Sequence, residues 1–205
     1  DGCDPESCNG VLIEDCYFDT GDDCIAIKSG RNNDGRRWSI PSQNIIVRNC
    51  RMADGHGGVV IGSEISGGFY NLFVEDCEMD SPELLRVIRI KTSDCRGGVI
   101  DNVNVRNVKV GKCSEAVLKI NLMYEPLEEC KRGFPPFVRN VTLENVTSQE
   151  SQYGIYIIGL DESVNVSDIN LINCSFNGVQ EGTSITGAER VKFKKVYING
   201  EKISL

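Results

Sequence analysis

Two adjacent carboxylates, Asp22 and Asp23, follow Gly21 and precede a short apolar run at residues 25–27. Neighbouring residues of a regular strand point to opposite faces of the sheet, so both acids reach one surface only where the chain bends. Glycine permits such a bend, and we assign that role to Gly21. Two carboxylates on one surface are suited to general acid–base chemistry.

Three further side chains have the types needed for a site beside these acids. The single histidine, His56, has a glycine on each side, which allows a ligand to approach the backbone closely. Arg89 and Lys91 are two residues apart, so a strand directs both side chains to the same face. Such cations bind carboxylates. The pattern therefore indicates acid–base groups beside a site for an anionic ligand.

The composition restricts the class of partner. The chain has 205 residues, 40% of them hydrophobic, which is typical of one domain spanning residues 1–205 with a real core. The net charge of -8 argues against nucleic acid, and it is compatible with an acidic sugar only if basic residues are locally concentrated. No apolar run approaches the ~20 residues of a membrane span. The ten cysteines form no Cys-x-x-Cys pair, which argues against a zinc site.

One six-residue motif recurs: alternating apolar residues, then Asn or Asp, then Cys or Val. Its copies lie 22 to 38 residues apart, the last with Lys195 at the Asn/Asp position: residues 11–16, 45–50, 72–77, 103–108, 141–146, 169–174 and 191–196. A period of two is typical of a short strand with one buried face. Coils of about 30 residues with several short strands each predict an all-β fold, the right-handed parallel β-helix.

A second strand follows most copies of the motif, and aligning these strands predicts which side chains share a face. The predicted inward columns are Ile27, Ile61, Ile90, Ile120 and Ile158, and Ile25, Val59, Ile88, Leu118 and Tyr156. The predicted outward columns are Ala26, Val60, Arg89, Lys119 and Ile157, and Lys28, Gly62, Lys91, Asn121 and Gly159. Because coils stack ~4.8 Å apart, Asp22, His56, Arg89 and Lys91 are expected on one exposed face within roughly 10–15 Å.

The Asn or Asp of the motif falls where each strand must turn sharply. Its side chain is able to hydrogen-bond the backbone and tolerates a left-handed conformation, so stacked coils are expected to align these residues as a ladder. The cysteines that follow are predicted to form a buried stack: Cys16, Cys50, Cys77 and Cys174. A disulfide among the remaining cysteines stays unassigned.

At these positions the sequence resembles glycoside hydrolase family 28, the polygalacturonases. The matching motifs, in family order, are Asp-Gly-Cys-Asp-Pro at 1–5, Gly-Asp-Asp at 21–23, Gly-His-Gly at 55–57 and Arg-Ile-Lys at 89–91. Tyr124 stands where the family has a substrate-site tyrosine. The resemblance covers essentially the whole chain and implies a parallel β-helix. It also implies a partial catalytic domain lacking its N-terminal coils, with Val11 and Ile13 open at that end.

The resemblance implies inverting hydrolysis of α-1,4-galacturonosyl bonds in polygalacturonate or pectin, with no metal or other cofactor. Asp22 is then the general acid, Asp1 and Asp23 position and deprotonate the attacking water, and His56 tunes the acid. The implied substrate-binding residues are Arg89, Lys91, Tyr124 and Gly57. Inversion usually needs carboxyl groups ~6.5–9.5 Å apart. Repulsion among three aspartates is expected to raise one carboxyl pKa, as a general acid requires.

Alternatives remain open at this point. A rhamnogalacturonan or xylogalacturonan hydrolase shares the fold, although rhamnogalacturonan hydrolases generally lack the His and Arg-x-Lys signatures. A β-helix fragment that only binds sugar is a further alternative, from a different functional class. The insertion at residues 31–43 is a candidate for the loop that decides between exo and endo action. The expected location is secreted or periplasmic, with any signal peptide preceding Asp1.

Overall fold

The computed structural model describes residues 1–125, 128–160 and 164–205, most of which lie in strands. The strands are β1 Asn9–Glu14, β2 Tyr17–Asp19, β3 Asp23–Ile27, β4 Ser42–Arg48, β5 Arg51–Asp54, β6 Gly57–Gly62, β7 Phe69–Glu75, β8 Glu78–Met79, β9 Arg86–Lys91, β10 Val99–Val110, β11 Ala116–Asn121, β12 Phe137–Ser148, β13 Ser151–Ile158, β14 Val166–Phe176, β15 Val179–Thr186, β16 Ala188–Ile198 and β17 Glu201–Ile203. Among the described residues the one helix, α1 (Asn32–Trp38), has 7 residues, too few to cross a membrane.

The strands form two sheets that enclose one hydrophobic core. The six-stranded front sheet has the order β15-β13-β11-β9-β6-β3. The back sheet follows the path β1-β4-β7-β10-β12-β14-β16-β17, with β2, β5 and β8 paired beside it. Corresponding strands of successive coils are parallel, and the motif copies align residue for residue along Val11, Ile45, Leu72, Val103, Val141, Ile169 and Val191. The parallel β-helix predicted from the repeat is confirmed.

The register of the front sheet confirms most of the predicted columns and corrects one strand. The inward column is confirmed for Ile27, Ile61, Ile90 and Ile120. In β13, however, Ile157 and not Ile158 pairs with Ile120, so the whole strand is shifted by one residue. Tyr156, predicted to point inward, therefore lies outward beside Lys119. The prediction fails because Ile157 and Ile158 are equally apolar, and only packing in the core distinguishes them.

The motif's Asn or Asp adopts a left-handed backbone at every copy. The φ angles lie between 52° and 56° at Asp15, Asn49, Asp76, Asn107, Asn145, Asn173 and Lys195. Side chains hydrogen-bond from coil to coil: the Asn107 amide donates to Asp76 at 3.0 Å, and the Asn145 amide donates to Asn107 at 3.1 Å. Short polar side chains tolerate positive φ better than apolar ones do. The predicted ladder is confirmed.

A second ladder, which the sequence analysis missed, lies near the start of the same strands. Asn44, Asn71 and Asn102 have φ angles of 56°, 64° and 64°. Each donates a hydrogen bond of 2.8 Å from its amide to the asparagine of the preceding coil. The back sheet is thus bordered on both margins by stacked polar side chains, most of them asparagines.

The first coil differs from the two burial predictions made for it. The cysteine stack is buried at Cys50, Cys77 and Cys174, but Cys16 is exposed because no coil packs on its outer side. Ile13 is buried, not open, because its side chain points into the core beside Val47 of the next coil. Val11, also expected to be open, is half-buried.

Candidate active site

Asp22 lies in the bend that leads into β3, and its side chain is 55% exposed. Two hydrogen bonds hold the bend: Thr20 Oγ1 donates to the Asp22 carbonyl at 2.8 Å, and the Asp23 N–H donates to Asp22 Oδ1 at 2.8 Å. Gly21 does not adopt a positive φ, and a Cβ there would meet open space. The role assigned to Gly21 from sequence is therefore wrong. Hydrogen bonds to Asp22, not a glycine, hold its carboxylate at the surface.

His56 lies beside Asp22 in the next coil. Its Nδ1 is 3.0 Å from Asp22 Oδ1, and its backbone N–H donates to the Asp22 carbonyl at 2.9 Å. Gly55 makes this approach possible, since its φ is +149° and a Cβ there would lie 2.6 Å from the Asp22 carbonyl oxygen. The predicted proximity of His56 to Asp22 is confirmed, and the imidazole faces solvent with the carboxylate.

Asp23, the next residue, is only 2% exposed because two cations cover it. Lys91 Nζ lies 2.8 Å from Asp23 Oδ2, and an Arg89 guanidinium nitrogen lies 3.5 Å from Oδ1. Gly57 leaves space for this group, because a Cβ there would stand 3.2 Å from Asp23 Oδ1 and clash with Val60. The predicted juxtaposition of Arg89 and Lys91 with the carboxylates is confirmed. Gly57 itself is buried, so its position shapes the site from beneath.

Asp1 completes a group of three aspartates. One oxygen from each of the three carboxylates lies within 4.8 Å of the others. Lys28 Nζ is 2.9 Å from Asp1, and sequence analysis placed Lys28 in an outward column without giving it a role. Among the described residues, these three carboxylates form the group that is close enough to share a metal ion. Two of them, Asp1 and Asp23, are already paired with Lys28 and Lys91. They line a pocket of about 170 Å³ together with Lys28, Gly62, Ser63, Glu64 and Lys91.

Tyr124 stands next to the two cations, as the resemblance led us to expect. Its ring centroid is 5.8 Å from Arg89 Cζ and 5.6 Å from Lys91 Nζ, within the range of cation–π attraction. The Tyr124 N–H donates to the Thr92 carbonyl at 3.1 Å, which fixes the backbone just beyond β11. The ring therefore adds an aromatic wall to the cationic side of the site.

The pKa of Asp22 lies below its ordinary value. Burial raises this pKa, but the Asp23 N–H and the charges of His56 and Lys91 lower it by more. The expected rise from like-charge repulsion is therefore wrong for Asp22, because the groups that stabilise its anion outweigh the effect of burial. Asp22 must take up a proton before it is able to act as an acid.

A second ionic cluster, which the sequence analysis missed, adjoins the first. Glu115 forms ion pairs with both Arg86 and Lys119. Lys119 Nζ lies 4.7 Å from the ring centroid of Tyr156, and this ring packs on Tyr153 with centroids 4.5 Å apart. Lys119 already stood in a predicted outward column beside Arg89, but the shifted register of β13 concealed the tyrosines from the sequence argument.

The insertion at residues 31–43 forms a wall beside the pocket. It contains α1, its Arg31 pairs at 3.6 Å with Glu64 of the pocket lining, and its Arg36 guanidinium donates to the carbonyl of Cys95, which forms a disulfide with Cys130. Glu128 links the two, since it pairs with Arg31 at 3.0 Å and with Arg96. The hydrogen bond from Arg31 lowers the pKa of Glu128 to about 2, so this link persists at mildly acidic pH.

Comparisons with known proteins agree with this geometry. The structure is similar to that of a hyperthermoactive exopolygalacturonase from Thermotoga maritima, with a TM-score of 0.90 and 36% identity over 98% of this chain and 44% of that one. A polygalacturonase structure from Erwinia carotovora gives a TM-score of 0.73 and 25% identity over 94% of this chain and 46% of that one. A curated polygalacturonase of Ralstonia nicotianae is 30% identical over 88% of this chain and 33% of its own length.

The chain thus spans less than half the length of each of these relatives. The model of glycosyl hydrolases family 28 matches residues 1–198, which include every aspartate of the site, the histidine and both cations. With the same fold and this match over nearly its whole length, the chain belongs to glycosyl hydrolases family 28.

Proposed function

We propose that this protein hydrolyses α-1,4-galacturonosyl bonds of polygalacturonate or pectin by acid–base catalysis. One observation carries the proposal: a solvent-facing carboxylate, Asp22, shares a pocket with two further carboxylates and directly adjoins cations able to hold an anionic sugar. The relatives described above are polygalacturonases, which agrees with this substrate. An acidic protein is able to bind an acidic sugar here because its positive charge is concentrated at the site.

The roles of the side chains follow from exposure and contacts. Asp22 is the exposed acid and protonates the leaving oxygen, while Asp1 and Asp23 hold and deprotonate the attacking water. His56 contacts Asp22 directly and tunes its protonation. Arg89, Lys91 and Tyr124 hold the galacturonate at the cation-lined side, and the buried Gly57 makes room for the carboxylate beneath them.

Substrate binding also offers a reason for Asp22 to gain its proton. The pKa of the free carboxyl is low in part because Lys91 and His56 stabilise its anion. A bound galacturonate carboxylate would engage Lys91 and bring a second negative charge close to Asp22. Both effects raise a carboxyl pKa, so the acid form is favoured in the complex.

The spacing of the three carboxylates bears on the stereochemical outcome of hydrolysis. The three carboxylates approach within 4.8 Å, below the ~6.5–9.5 Å usual between the two carboxyl groups of inverting enzymes. We propose that the water lies against Asp1 and Asp23 beside Asp22, and not between two facing carboxyl groups. The reaction would then still proceed with inversion. Proton NMR of the first product tests this: inversion releases the β-anomer, whereas the α-anomer would establish retention.

The decisive test of function is product analysis on polygalacturonate with the protein at its natural full length. New reducing ends are expected, as galacturonate monomer alone for exo action or as mixed oligomers for endo action. An unsaturated product would instead identify a lyase. Binding without turnover would favour the sugar-binding alternative, and turnover confined to rhamnogalacturonan or xylogalacturonan would favour those substrates.

We also propose that the protein acts outside the cytoplasm. The Cys95–Cys130 disulfide supports this, because structural disulfides persist in oxidising compartments. In addition, the polymeric substrate proposed for this protein is too large to enter a cell whole. Fractionation of the producing cells, followed by immunodetection, would place the protein in the medium or periplasm; detection only in the cytoplasm would refute this location.

A further inference from the structure

The lining of the pocket between the aspartates holds more acidic than basic side chains. Its charged members are Asp1, Asp22, Asp23, Glu64, Lys28 and Lys91. The two lysines contact aspartates, and among the described lining residues no cation pairs with Glu64. An anionic ligand entering the pocket would therefore be repelled by the Glu64 carboxylate, unless a group outside the lining balances its charge.

Arg31, just before α1, supplies the balancing charge. Its guanidinium lies 3.6 Å from a carboxylate oxygen of Glu64, on the side of Glu64 away from the pocket lining. The Arg31 side chain is more than half exposed. A long, exposed cation loses rotamer entropy when it is held in one geometry, so a single surface pair of this kind is weak. Arg31 therefore remains on Glu64 only if a second contact fixes its guanidinium.

Glu128 provides that second contact. Its Oε1 accepts a hydrogen bond from Arg31 Nε at 3.1 Å, and its Oε2 lies 3.0 Å from Arg31 Nη2. This side-by-side pairing fixes the plane of a guanidinium. Glu128 is held in turn by the buried Arg96 and by the Asn32 amide at 3.3 Å. Two arginines and two glutamates thus form one network with balanced charge, and the Glu64 carboxylate adds no net charge to the pocket.

We propose that Arg31 is a positioning residue that acts through Glu64. It neutralises the Glu64 carboxylate and holds it at the wall, so that the pocket accepts an anionic sugar. This inference rests on the proposed function, because it concerns how the same pocket admits a uronate. Arg31 makes no contact with the sugar in this arrangement. Its contribution is electrostatic, and salt should therefore screen it.

Calorimetric binding of a galacturonate oligomer to the Asp22→Asn protein tests the proposal without hydrolysis. Arg31→Met in this background should weaken binding about fivefold at low salt, the scale of repulsion between two partly solvated charges. Raising the salt concentration from about 0.1 M to about 1 M shortens the Debye length from ~10 Å to ~3 Å. The difference between variant and parent should then largely disappear, whereas a purely structural defect would persist.

Removal of the unbalanced carboxylate should repair the loss. Arg31→Met combined with Glu64→Gln should bind the oligomer as tightly as the parent protein does. Arg132→Met is the matched control, because Arg132 is similarly exposed and pairs with Asp94 and Glu125, which lie outside the pocket lining. It should leave affinity unchanged.

Thermal melting of each variant separates lost binding from lost folding. Arg31→Gln, which keeps an amide able to bond Glu128, should show the same loss and serves if Arg31→Met folds poorly. The inference would be overturned, with the proposed function intact, by unchanged affinity in the Arg31 variants, by a loss that persists at high salt, or by a loss that Glu64→Gln does not repair. If the Asp22→Asn protein bound no galacturonate oligomer at low salt, both proposals would fail.

Discussion

The front and back sheets share one core and one coil repeat, yet their outward polar side chains are paired differently. Ladders made mostly of asparagines border the back sheet, and the amides of Asn71, Asn102 and Asn145 each donate to the coil before. The front sheet carries aspartates, lysines and arginines, and two of its carboxylates are each shared by two cations. On the back sheet Arg48 pairs with Glu14 and Arg106 with Glu75, whereas the shared carboxylates of the front sheet leave positive charge available for a ligand.

Size alone would have misplaced the site. A hollow of about 420 Å³ on the back sheet is larger than the pocket of about 170 Å³ between the aspartates. Its lining includes Ile46 and Phe73, and its Glu75 and Arg106 are paired with each other. Glu144 is the one further charged residue of this lining, and among the described lining residues no carboxylate is shared by two cations. The comparison indicates that the candidate site of this β-helix is distinguished by converging charges and not by volume.

The largest expected effect is the loss of turnover when the exposed acid of the front sheet is replaced. Asp22→Asn should lower kcat on polygalacturonate by about a thousandfold, since it removes the proton donor. Stability should hardly change, because Asp22 is more than half exposed and asparagine has the same shape. Steady-state kinetics and thermal melting check both points. Near-normal turnover in this variant would show that another group is the acid.

Substitution of a cation on the front sheet should have the next largest effect. Lys91→Met should lower kcat/KM for polygalacturonate at least about thirtyfold, or ~2 kcal/mol, because it removes a charged partner of both the ligand and Asp23. The matched control is Lys192→Met, an exposed lysine on β16 of the back sheet. Comparable losses in the two variants would contradict a special role for Lys91.

Substitution in a ladder should give the opposite pattern. Asn107→Ala replaces the amide by a methyl group at a residue with a φ of 54°. It removes the side-chain hydrogen bonds to Asp76 and Asn145. The free energy of unfolding should fall by about 1–2 kcal/mol, with kcat unchanged. Urea denaturation and kinetics measure the two quantities. Asn107→Gly, which tolerates positive φ, should recover part of the loss.

The smallest expected effect concerns protonation of Asp22. Because His56 helps to lower the Asp22 pKa, His56→Ala should move that pKa upward, as measured by carboxyl carbon NMR. A carboxyl with a lowered folded pKa stabilises the fold above its unfolded pKa, and this contribution is lost as pH falls through the folded value. The variant should therefore lose some of the stability contributed by Asp22. An unchanged pKa would refute the coupling.

The sequence by itself determined the fold and most of the site. Its motif repeats align the coils without structural information, because a period of two indicates a strand and the Asn or Asp marks the turn at its end. Asp22, His56, Arg89 and Lys91 were placed on one face from the same register, and the structure brings them together. Local periodicity suffices here because each coil packs only on its neighbours.

Only the tertiary structure decided what these groups contact. Sequence did not reveal that Asp23 is buried beneath Arg89 and Lys91, or that the neighbours of Asp22 lower its pKa. It also misplaced Tyr156 by one residue. Burial, pairing and pKa depend on side-chain distances between coils. A pattern of residue types fixes the order of the coils, but the distances arise only when the coils pack.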